Sequence, residues 1–338
     1  MKRSLNSLQV SLALTTLLGL NLVGLPAEAS TLFVGSFEND AVLRYDTETG
    51  EFIDTFVNSG SGGLDGPVAL TFGPDDNFYV ISILTDSVLR YDGQTGEFID
   101  SFVSSGSGGL DSPQDLTFGS DGNLYVSSTS TATSNSVLRY DGQTGQFIDA
   151  FVPPGSGGVL APFGVRFGPD DNFYLSSTLT NSILRYDGQT GEFIDTFAFA
   201  GEGALPGALT FGLDNNLYVA NFGTSTINRY DGETGALIDV FVDNIGGELN
   251  GPVQPVFGPD GNLYVSSLNT NNVLRYNGKT GDFIDEFIPA GSGGLNGAGW
   301  LVFAEDSASV PESSAGLSLL AFTAFVGAGT VLKRQFRS

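Results

Sequence analysis

The segment VLRYDGQTGEFIDSFV, residues 88–103, recurs almost unchanged as ILRYDGQTGEFIDTFA at residues 183–198. Its Arg-Tyr pair occurs six times, at intervals of 44 to 49 residues. The six pairs are Arg44/Tyr45, Arg90/Tyr91, Arg139/Tyr140, Arg185/Tyr186, Arg229/Tyr230 and Arg275/Tyr276. A period of this length, built from strands, is typical of the blades of a β-propeller. Because a residue present in every repeat usually belongs to the architecture, the repeat predicts the fold and says little about chemistry.

One repeat, residues 112–152, contains four short strand signals. Leu116–Phe118 and Leu124–Val126 flank an Asp-Gly turn, which supplies the positive φ of a tight hairpin. Val137–Tyr140 and Phe147–Asp149 flank a second turn, Asp-Gly-Gln-Thr-Gly. The repeats lack the 3.6-residue periodicity of a long helix. Each repeat therefore predicts four antiparallel strands, as in a propeller blade.

The two ends of the repeat array complement each other. Thr31–Ser36 aligns with the second strand of a repeat, whereas Gly299–Phe303 aligns with the first. Neither fragment is a blade alone, but together they complete one. We therefore predict an all-β, six-bladed propeller over residues 30–306, closed by pairing of its N-terminal and C-terminal strands, with no long open edge.

The repeat resembles the NHL family. The family pattern of Pro, a small apolar pair, an Asp-Gly turn and a strand like NLYVSS is matched at Pro113–Ser128 and Pro252–Ser267. The likeness covers roughly Thr31–Glu305, and gluconolactonase-like and streptogramin-lyase-like propellers share the pattern. The resemblance implies an NHL-like six-bladed propeller and implies little about function.

Composition limits the chemistry. The chain of 338 residues contains no Cys and no His, which excludes disulfides, His or Cys nucleophiles, His general bases and His/Cys zinc sites. Its net charge of −25 disfavours nucleic-acid binding, because phosphate contacts need clustered Lys and Arg. The charge suits the solubility of an exported protein. Binding of cations, or of basic or polysaccharide partners, is the alternative.

The N-terminal residues 1–29 predict a secretory signal peptide. Lys2 and Arg3 precede a mostly apolar stretch, Leu12–Leu25, and Ala27–Ala29 reads as a small-residue cleavage site. We expect cleavage before Ser30. A membrane anchor is the alternative.

The C-terminal residues predict a membrane helix at 315–332, which is uncharged and just long enough to cross a bilayer. The basic tail 333–338, with Lys333 and Arg334, should remain cytoplasmic.

Residues 307–314 read as a linker with a sorting motif. The order of a Pro-Glu motif, a membrane span and a basic tail resembles the PEP-CTERM sorting signal. Ser313 stands where the family has a second Pro. The resemblance implies recognition near Pro311 and Glu312 by an exosortase-type membrane enzyme, and delivery to the cell surface or extracellular matrix. A plain membrane anchor is the alternative.

Two repeated features predict structural roles. Acidic turns such as Asp121–Asn123 offer oxygen ligands for Ca²⁺ but lack EF-hand spacing, and Asp and Asn favour tight turns in any case. We therefore expect structural turns, no cofactor, and Ca²⁺ only as the alternative. The repeated Arg lies one hairpin away from a repeated Asp, which predicts a direct or diagonal cross-strand ion pair. These aspartates are Asp54, Asp100, Asp149, Asp195, Asp239 and Asp285.

A ligand site should lie where the repeats disagree, on the strands that line the channel and on the loops beside them. Polar and aromatic residues there suit a sugar, which needs hydrogen-bonding groups and a ring to stack on. The predicted ligand-binding residues are Gln114, Asp115, Arg166, Asn221, Gln254, Asn269 and Trp300, with Phe163 and Phe222 among the other departures. Neutral drift of a duplicated array is the alternative.

The sequence favours a non-enzymatic binding or structural module of the bacterial envelope or matrix, with no catalytic residue. The alternative is a metal-dependent lactone hydrolase, since gluconolactonase-like propellers hold a divalent metal in the channel through Glu, Asn and Asp. The resemblance would assign these roles to Asp115, Asn221 and Asn269, but Thr31–Ser36 contains no Glu. A streptogramin-lyase-like activity would be expected to need a His, which is absent.

Overall fold

The computed structural model describes residues 31–129, 135–244 and 248–304. The predicted signal peptide, sorting motif, membrane helix and basic tail lie outside these ranges. Within them, no helix is both long and apolar enough to cross a membrane.

The described residues form six sheets of four antiparallel strands, arranged as the blades of a propeller. The first blade contains β1 (Thr31–Ser36), β2 (Ala41–Asp46), β3 (Phe52–Val57) and the last strand of the chain, β24 (Ala298–Phe303). The second contains β4 (Pro67–Phe72), β5 (Phe78–Ser82), β6 (Ser87–Tyr91) and β7 (Phe98–Val103). The third contains β8 (Pro113–Phe118), β9 (Leu124–Ser128), β10 (Ser136–Tyr140) and β11 (Phe147–Val152).

The remaining blades repeat this order. The fourth contains β12 (Pro162–Phe167), β13 (Phe173–Ser177), β14 (Ser182–Tyr186) and β15 (Phe193–Phe199). The fifth contains β16 (Pro206–Phe211), β17 (Leu217–Asn221), β18 (Thr226–Tyr230) and β19 (Leu237–Val242). The sixth contains β20 (Pro252–Phe257), β21 (Leu263–Ser267), β22 (Asn272–Tyr276) and β23 (Phe283–Ile288). Short 3₁₀ turns lie at Phe37–Asn39, Ser61–Gly63, Ile83–Thr85, Ser107–Gly109, Ser156–Gly158, Thr178–Thr180 and Ser292–Gly294.

The ring is closed by its two ends, as predicted. Strand β24 is the inner strand of the first blade and pairs with β1, with Leu32 opposite Phe303 and Val34 opposite Leu301. Ala304 N–H also donates to the Thr31 carbonyl at 2.9 Å. This pairing satisfies backbone groups that would otherwise remain open on both strands.

The outer hairpin of each blade contains the predicted ion pair, and the pairing is direct. Arg90 lies opposite Asp100 in the register of β6 and β7. Its Nη2 is 2.6 Å from Asp100 Oδ2 and its Nε is 3.1 Å from Oδ1, a bidentate geometry. The guanidinium also lies 4.9 Å from the centre of the Phe102 ring. The other blades repeat the arrangement, so these arginines are engaged with their own hairpins.

The acidic turns make hydrogen bonds within their own blades. Asp75 Oδ1 accepts from the Asn77 backbone N–H at 3.2 Å, and its Oδ2 accepts from the Asn77 amide at 2.7 Å and from the Tyr79 hydroxyl at 3.0 Å. Equivalent contacts recur at Asp121, Asp170, Asp214 and Asp260. These oxygens stabilise turns and buried tyrosines. The absence of a cofactor stays a prediction, with Ca²⁺ as its alternative.

Neighbouring blades are joined by a repeated hydrogen bond from a backbone N–H to the side chain of an Asp or Asn that follows the second strand. Asp40, in the left-handed conformation, accepts through Oδ1 from Gly66 N–H at 2.8 Å, immediately before the next inner strand. Asp86 does the same for Ser112 at 2.7 Å, and Asn181 for Leu205 at 2.9 Å. Because Asp and Asn tolerate positive φ, their recurrence here has a backbone reason.

Candidate functional site

The central channel opens into a cavity of about 370 Å³ at the end where the inner strands begin. We call this cavity the cup. One ring of its wall consists of residues that directly follow a second strand: Phe37, Ile83, Thr178, Phe222 and Leu268. A second ring consists of the second residue of each inner strand: Val68, Gln114, Phe163, Gly207, Val253 and Gly299. Among the described residues, no Asp, Glu, Lys or Arg lines the cup.

The floor of the cup is an aromatic pair contributed by opposite blades. Phe163 on β12 and Trp300 on β24 stack with ring centroids 5.4 Å apart and planes 24° apart. Gly164 allows β12 to lie close to the fifth blade, because a Cβ there would be 2.7 Å from Ala208 Cα. Asp115 and Gln254, the third residues of β8 and β20, are buried. The aromatic pair therefore closes the bore to solvent at this level.

Asp115 joins the third blade to the fourth. Its Oδ1 accepts from Leu116 N–H at 2.8 Å, and its Oδ2 accepts from Val165 N–H on β12 at 2.9 Å. Burial raises the pKa of Asp115, while the nearby positive charge of Arg166 and these N–H groups oppose that rise. The Trp300 indole N–H faces the carboxyl but does not complete a hydrogen bond of normal geometry.

Gln254 has the equivalent role between the sixth and first blades. Its Oε1 accepts from Leu301 N–H on β24 at 2.9 Å. Val165 and Leu301 are both the fourth residue of their inner strands. Asp115 and Gln254 therefore satisfy matching backbone donors across two blade interfaces, and neither lines the cup.

Two of the predicted ligand-binding residues, Gln114 and Trp300, line the cup. The Gln114 amide nitrogen donates to the Ser112 carbonyl at 3.1 Å. The wall therefore offers the Gln114 side-chain oxygen as an acceptor. The Thr178 hydroxyl is already committed to the Pro206 carbonyl at 2.8 Å. The cup can hold an apolar group with few polar contacts.

The other predicted residues lie elsewhere. Arg166 is the fifth residue of β12, and its Nε is 3.5 Å from the Leu209 carbonyl. Asn221 ends β17, where Ser ends the second strand of the other blades. Its amide nitrogen donates to Thr226 Oγ1 at 3.2 Å, while its buried Oδ1 has no partner. Asn269 is exposed beside the cup and donates to Asn250 Oδ1 at 2.9 Å.

The residues considered for a divalent metal do not fit such a site. Both oxygens of Asp115 accept backbone N–H groups. Asn221 is buried, whereas Asn269 is exposed on the rim, and neither lines the cup. Within the described residues, no three Asp or Glu side chains are grouped so that they could hold a metal ion. A catalytic metal needs several converging oxygen ligands, and this donor set does not supply them.

The aliphatic part of the cup was not identified from the sequence. Ile83 and Leu268 occupy the position directly after a second strand, where turn residues would be expected. The signal was present, because the same position also holds Phe37 and Phe222. Large apolar residues repeated at one loop position could have indicated an apolar rim around the channel, although Phe37, Ile83 and Leu268 also pack against the core.

The sequence matches the family model described as the SMP-30/gluconolactonase/LRE-like region over residues 27–269. The chain belongs to this family. No curated protein matched the chain. Within the residues that the structure describes, the metal-ligand set discussed above is not assembled.

Comparison with solved structures supports the fold. A chain of a nidogen/laminin complex is 17% identical with a TM-score of 0.62, covering 82% of this chain and 99% of that chain. A Bacteroides caccae protein of unknown function is 10% identical with a TM-score of 0.60, covering 82% and 99%. A streptogramin B lyase is 19% identical with a TM-score of 0.50, covering 68% and 70%. At these identities the likeness concerns the fold alone.

Proposed function

We propose that this protein is a binding propeller, of NHL-like type, that captures an apolar group in the cup. The observation that carries the proposal is the aromatic floor beneath a wall without charged side chains. Transfer of apolar surface from water into such a cavity contributes about 25 cal/mol per Å². A concave apolar pocket with few polar groups is the usual form of a small-ligand site.

The test uses Trp300, which is the only Trp in the chain and forms half of the floor. Indole and toluene, as apolar probes, should change the Trp300 fluorescence in a saturable manner, whereas glucose should not. Toluene is the cleaner probe, because the indole of Trp300 can be excited at wavelengths where toluene does not absorb. A saturable response to glucose alone would favour the sugar site predicted from the sequence and contradict an apolar one.

Paired substitutions locate the binding. Phe222→Ser removes an apolar wall residue that is 40% exposed, so it should weaken probe binding with little loss of stability. Leu213→Ser is the control, since Leu213 lies in the turn after β16, at the other end of the inner strand, and is 95% exposed. Equal weakening by both substitutions would show that the probes do not occupy the cup.

Family membership favours a second candidate, the metal-dependent lactone hydrolase. The donor set described above gives it no support. Hydrolysis of gluconolactone, measured with and without added divalent cations, tests it directly. Cation-dependent turnover that Asn221→Ala abolishes would favour the hydrolase over the binding role.

For location, we propose export through the signal peptide at 1–29 and surface sorting through residues 307–338, with Pro311 and Glu312 recognised by an exosortase-type enzyme. Strand β1 begins at Thr31 and strand β24 ends at Phe303. Both residues lie at the end of the channel opposite the cup.

Truncation after Asp306 tests the sorting proposal. We expect the truncated protein to retain its folding and its probe binding but to leave the cell surface. Fractionation of cells that produce either form measures the change. Equal surface amounts of the two forms would contradict the proposal, and Pro311→Ala with Glu312→Ala would separate enzymatic sorting from a plain anchor.

A further inference from the structure

The apolar surface continues beyond the cup. Leu84 and Leu179, which follow the wall residues Ile83 and Thr178, are 64% and 60% exposed. Leu160 and Phe222 are also exposed, and Leu179 N–H donates to the Leu160 carbonyl at 3.3 Å, so these two leucines are neighbours. A small compound held in the cup would leave this rim in water. Exposed apolar surface around a cavity is typical of a site for a larger partner.

The charged side chains on the rim are acidic. Asp65 is exposed beside Leu84, whose N–H donates to the Asp65 carbonyl at 3.2 Å. Asp111 occupies the equivalent place before the next inner strand, and Glu38 follows the wall residue Phe37. All three are exposed.

Basic residues of the described ranges lie away from this rim. The arginines of the outer hairpins are paired with aspartates of their own blades. Arg166 lies three residues beyond the floor residue Phe163 along β12, and Lys279 lies in the turn between β22 and β23. The rim thus combines apolar and negatively charged groups without neutralising cations, which attracts a partner of complementary charge.

We propose that the cup face binds a polypeptide segment of another protein in which a large apolar side chain is flanked by Lys or Arg. The apolar side chain enters the cup, neighbouring apolar residues cover Leu84 and Leu179, and the basic residues meet Glu38, Asp65 and Asp111. This inference rests on the apolar cup of the proposed function. An anionic lipid surface is a poorer partner, because the acidic rim would repel it.

The experiment uses the full chain and a capped peptide probe, Lys-Lys-Leu-Phe-Leu-Lys-Lys, followed by Trp300 fluorescence and calorimetry. Two control peptides replace the central Phe with Ser, or every Lys with Glu. We expect binding of the first peptide, weakened by added salt, and at least tenfold weaker binding of both controls. Rim ion pairs are screened by salt, so the salt dependence reports their contribution.

Matched variants test the rim. Glu38→Gln, Asp65→Asn and Asp111→Asn together should weaken binding of the basic peptide roughly fivefold to tenfold, since each exposed ion pair is worth up to about a factor of five. They should leave toluene binding unchanged. The control is the triple variant Glu48→Gln, Glu97→Gln and Glu233→Gln, which removes the same number of negative charges. These three residues are exposed and lie in turns of the outer hairpins, away from the rim.

The outcomes separate the two proposals. If toluene binds in the cup but the basic and acidic peptides bind equally or not at all, the polypeptide proposal is overturned and the apolar cup stands. If neither toluene nor any peptide binds, the proposed function itself fails. Binding to anionic vesicles in place of the peptide would likewise overturn the inference and assign the face to a membrane.

Discussion

Phe163 and Trp300 stack across the channel from opposite blades, with ring centroids 5.4 Å apart. The contact joins parts of the ring that share no strand pairing. It also separates the apolar cup from Asp115 and Gln254, which are buried at the interfaces between blades. One aromatic pair therefore makes the floor of the candidate site and keeps water from the centre of the fold.

Replacement of Phe163 by Ala should open the bore. Because Phe163 is only partly buried, we expect a loss of about 2 kcal/mol in the free energy of unfolding, below the full cost of a buried Phe. The Trp300 emission should shift to the red as water reaches the indole. Phe163→Leu is the control, since it retains apolar volume. An unchanged emission spectrum in Phe163→Ala would contradict the closed floor.

Arg90→Lys should weaken the outer hairpin of the second blade. Lysine cannot reproduce the two parallel bonds to Asp100 or the flat contact with Phe102. Because the pair is partly exposed, we expect a loss of about 0.5 to 1 kcal/mol. Chemical unfolding measures this loss in the free energy of unfolding. Asp100→Asn, alone and combined with Arg90→Lys, completes a double-mutant cycle. Additive effects of the two substitutions would show that the pair itself contributes nothing.

The turns of the outer hairpins should make the protein sensitive to acid. Hydrogen bonds from Thr95 lower the pKa of Asp92, and the same occurs in four other turns. A carboxyl with a lowered folded-state pKa stabilises the fold above its ordinary value of 3.8 and loses that contribution as the pH falls below it. Acidification below that value should therefore reduce the melting temperature.

The chain provides its own template for testing this acid sensitivity. The sixth turn has Asn277, whose Oδ1 accepts from Lys279 N–H and Thr280 N–H in the same manner. A variant with Asn in place of the five aspartates should preserve the turns near neutral pH and lose less melting temperature on acidification. The replaced residues are Asp46, Asp92, Asp141, Asp187 and Asp231. Thermal unfolding near neutral pH and below pH 3.8 measures the change in melting temperature, and Glu97→Gln, at an exposed residue, is the control. Identical acid profiles for wild type and the variant would contradict the argument.

Asp115 should produce the opposite pH dependence. Burial raises its pKa, so the folded state keeps the proton over a range where the unfolded chain has released it. Its contribution to stability therefore falls as the pH rises from 3.8 through the raised value. Asp115→Asn removes this dependence but loses one of two N–H acceptors, at a cost of about 1 kcal/mol.

The free energy of unfolding should be measured from pH 3.8 upward for the wild type and for Asp115→Asn. The variant should be less stable than the wild type, and this difference should shrink as the pH increases. Glu97→Gln is again the control, because its side chain is exposed on a turn. A difference in stability that stays constant or grows with pH would show that burial does not raise the pKa of Asp115.

Much of the architecture is determined by the sequence alone. The period of the Arg-Tyr pair predicts the blades, and the complementary ends, Thr31–Ser36 and Gly299–Phe303, predict the closure that β1 and β24 make. A cross-strand pair between Arg90 and Asp100 also follows from one hairpin, although only the structure shows that the two residues lie directly opposite each other. These features are readable because each depends on strand alternation and turn chemistry within one repeat, or on the count of repeats.

Only the tertiary structure decides what the irregular residues do. Gln114 and Asp115 are adjacent, yet Gln114 lines the cup and Asp115 binds the backbone of the next blade. A break in register between Pro113 and Leu116 precedes the regular pairing of β8, so simple alternation cannot assign their directions. The stacking of Phe163 on Trp300 likewise depends on the diameter of the closed ring, a property of all six blades together that no single repeat contains.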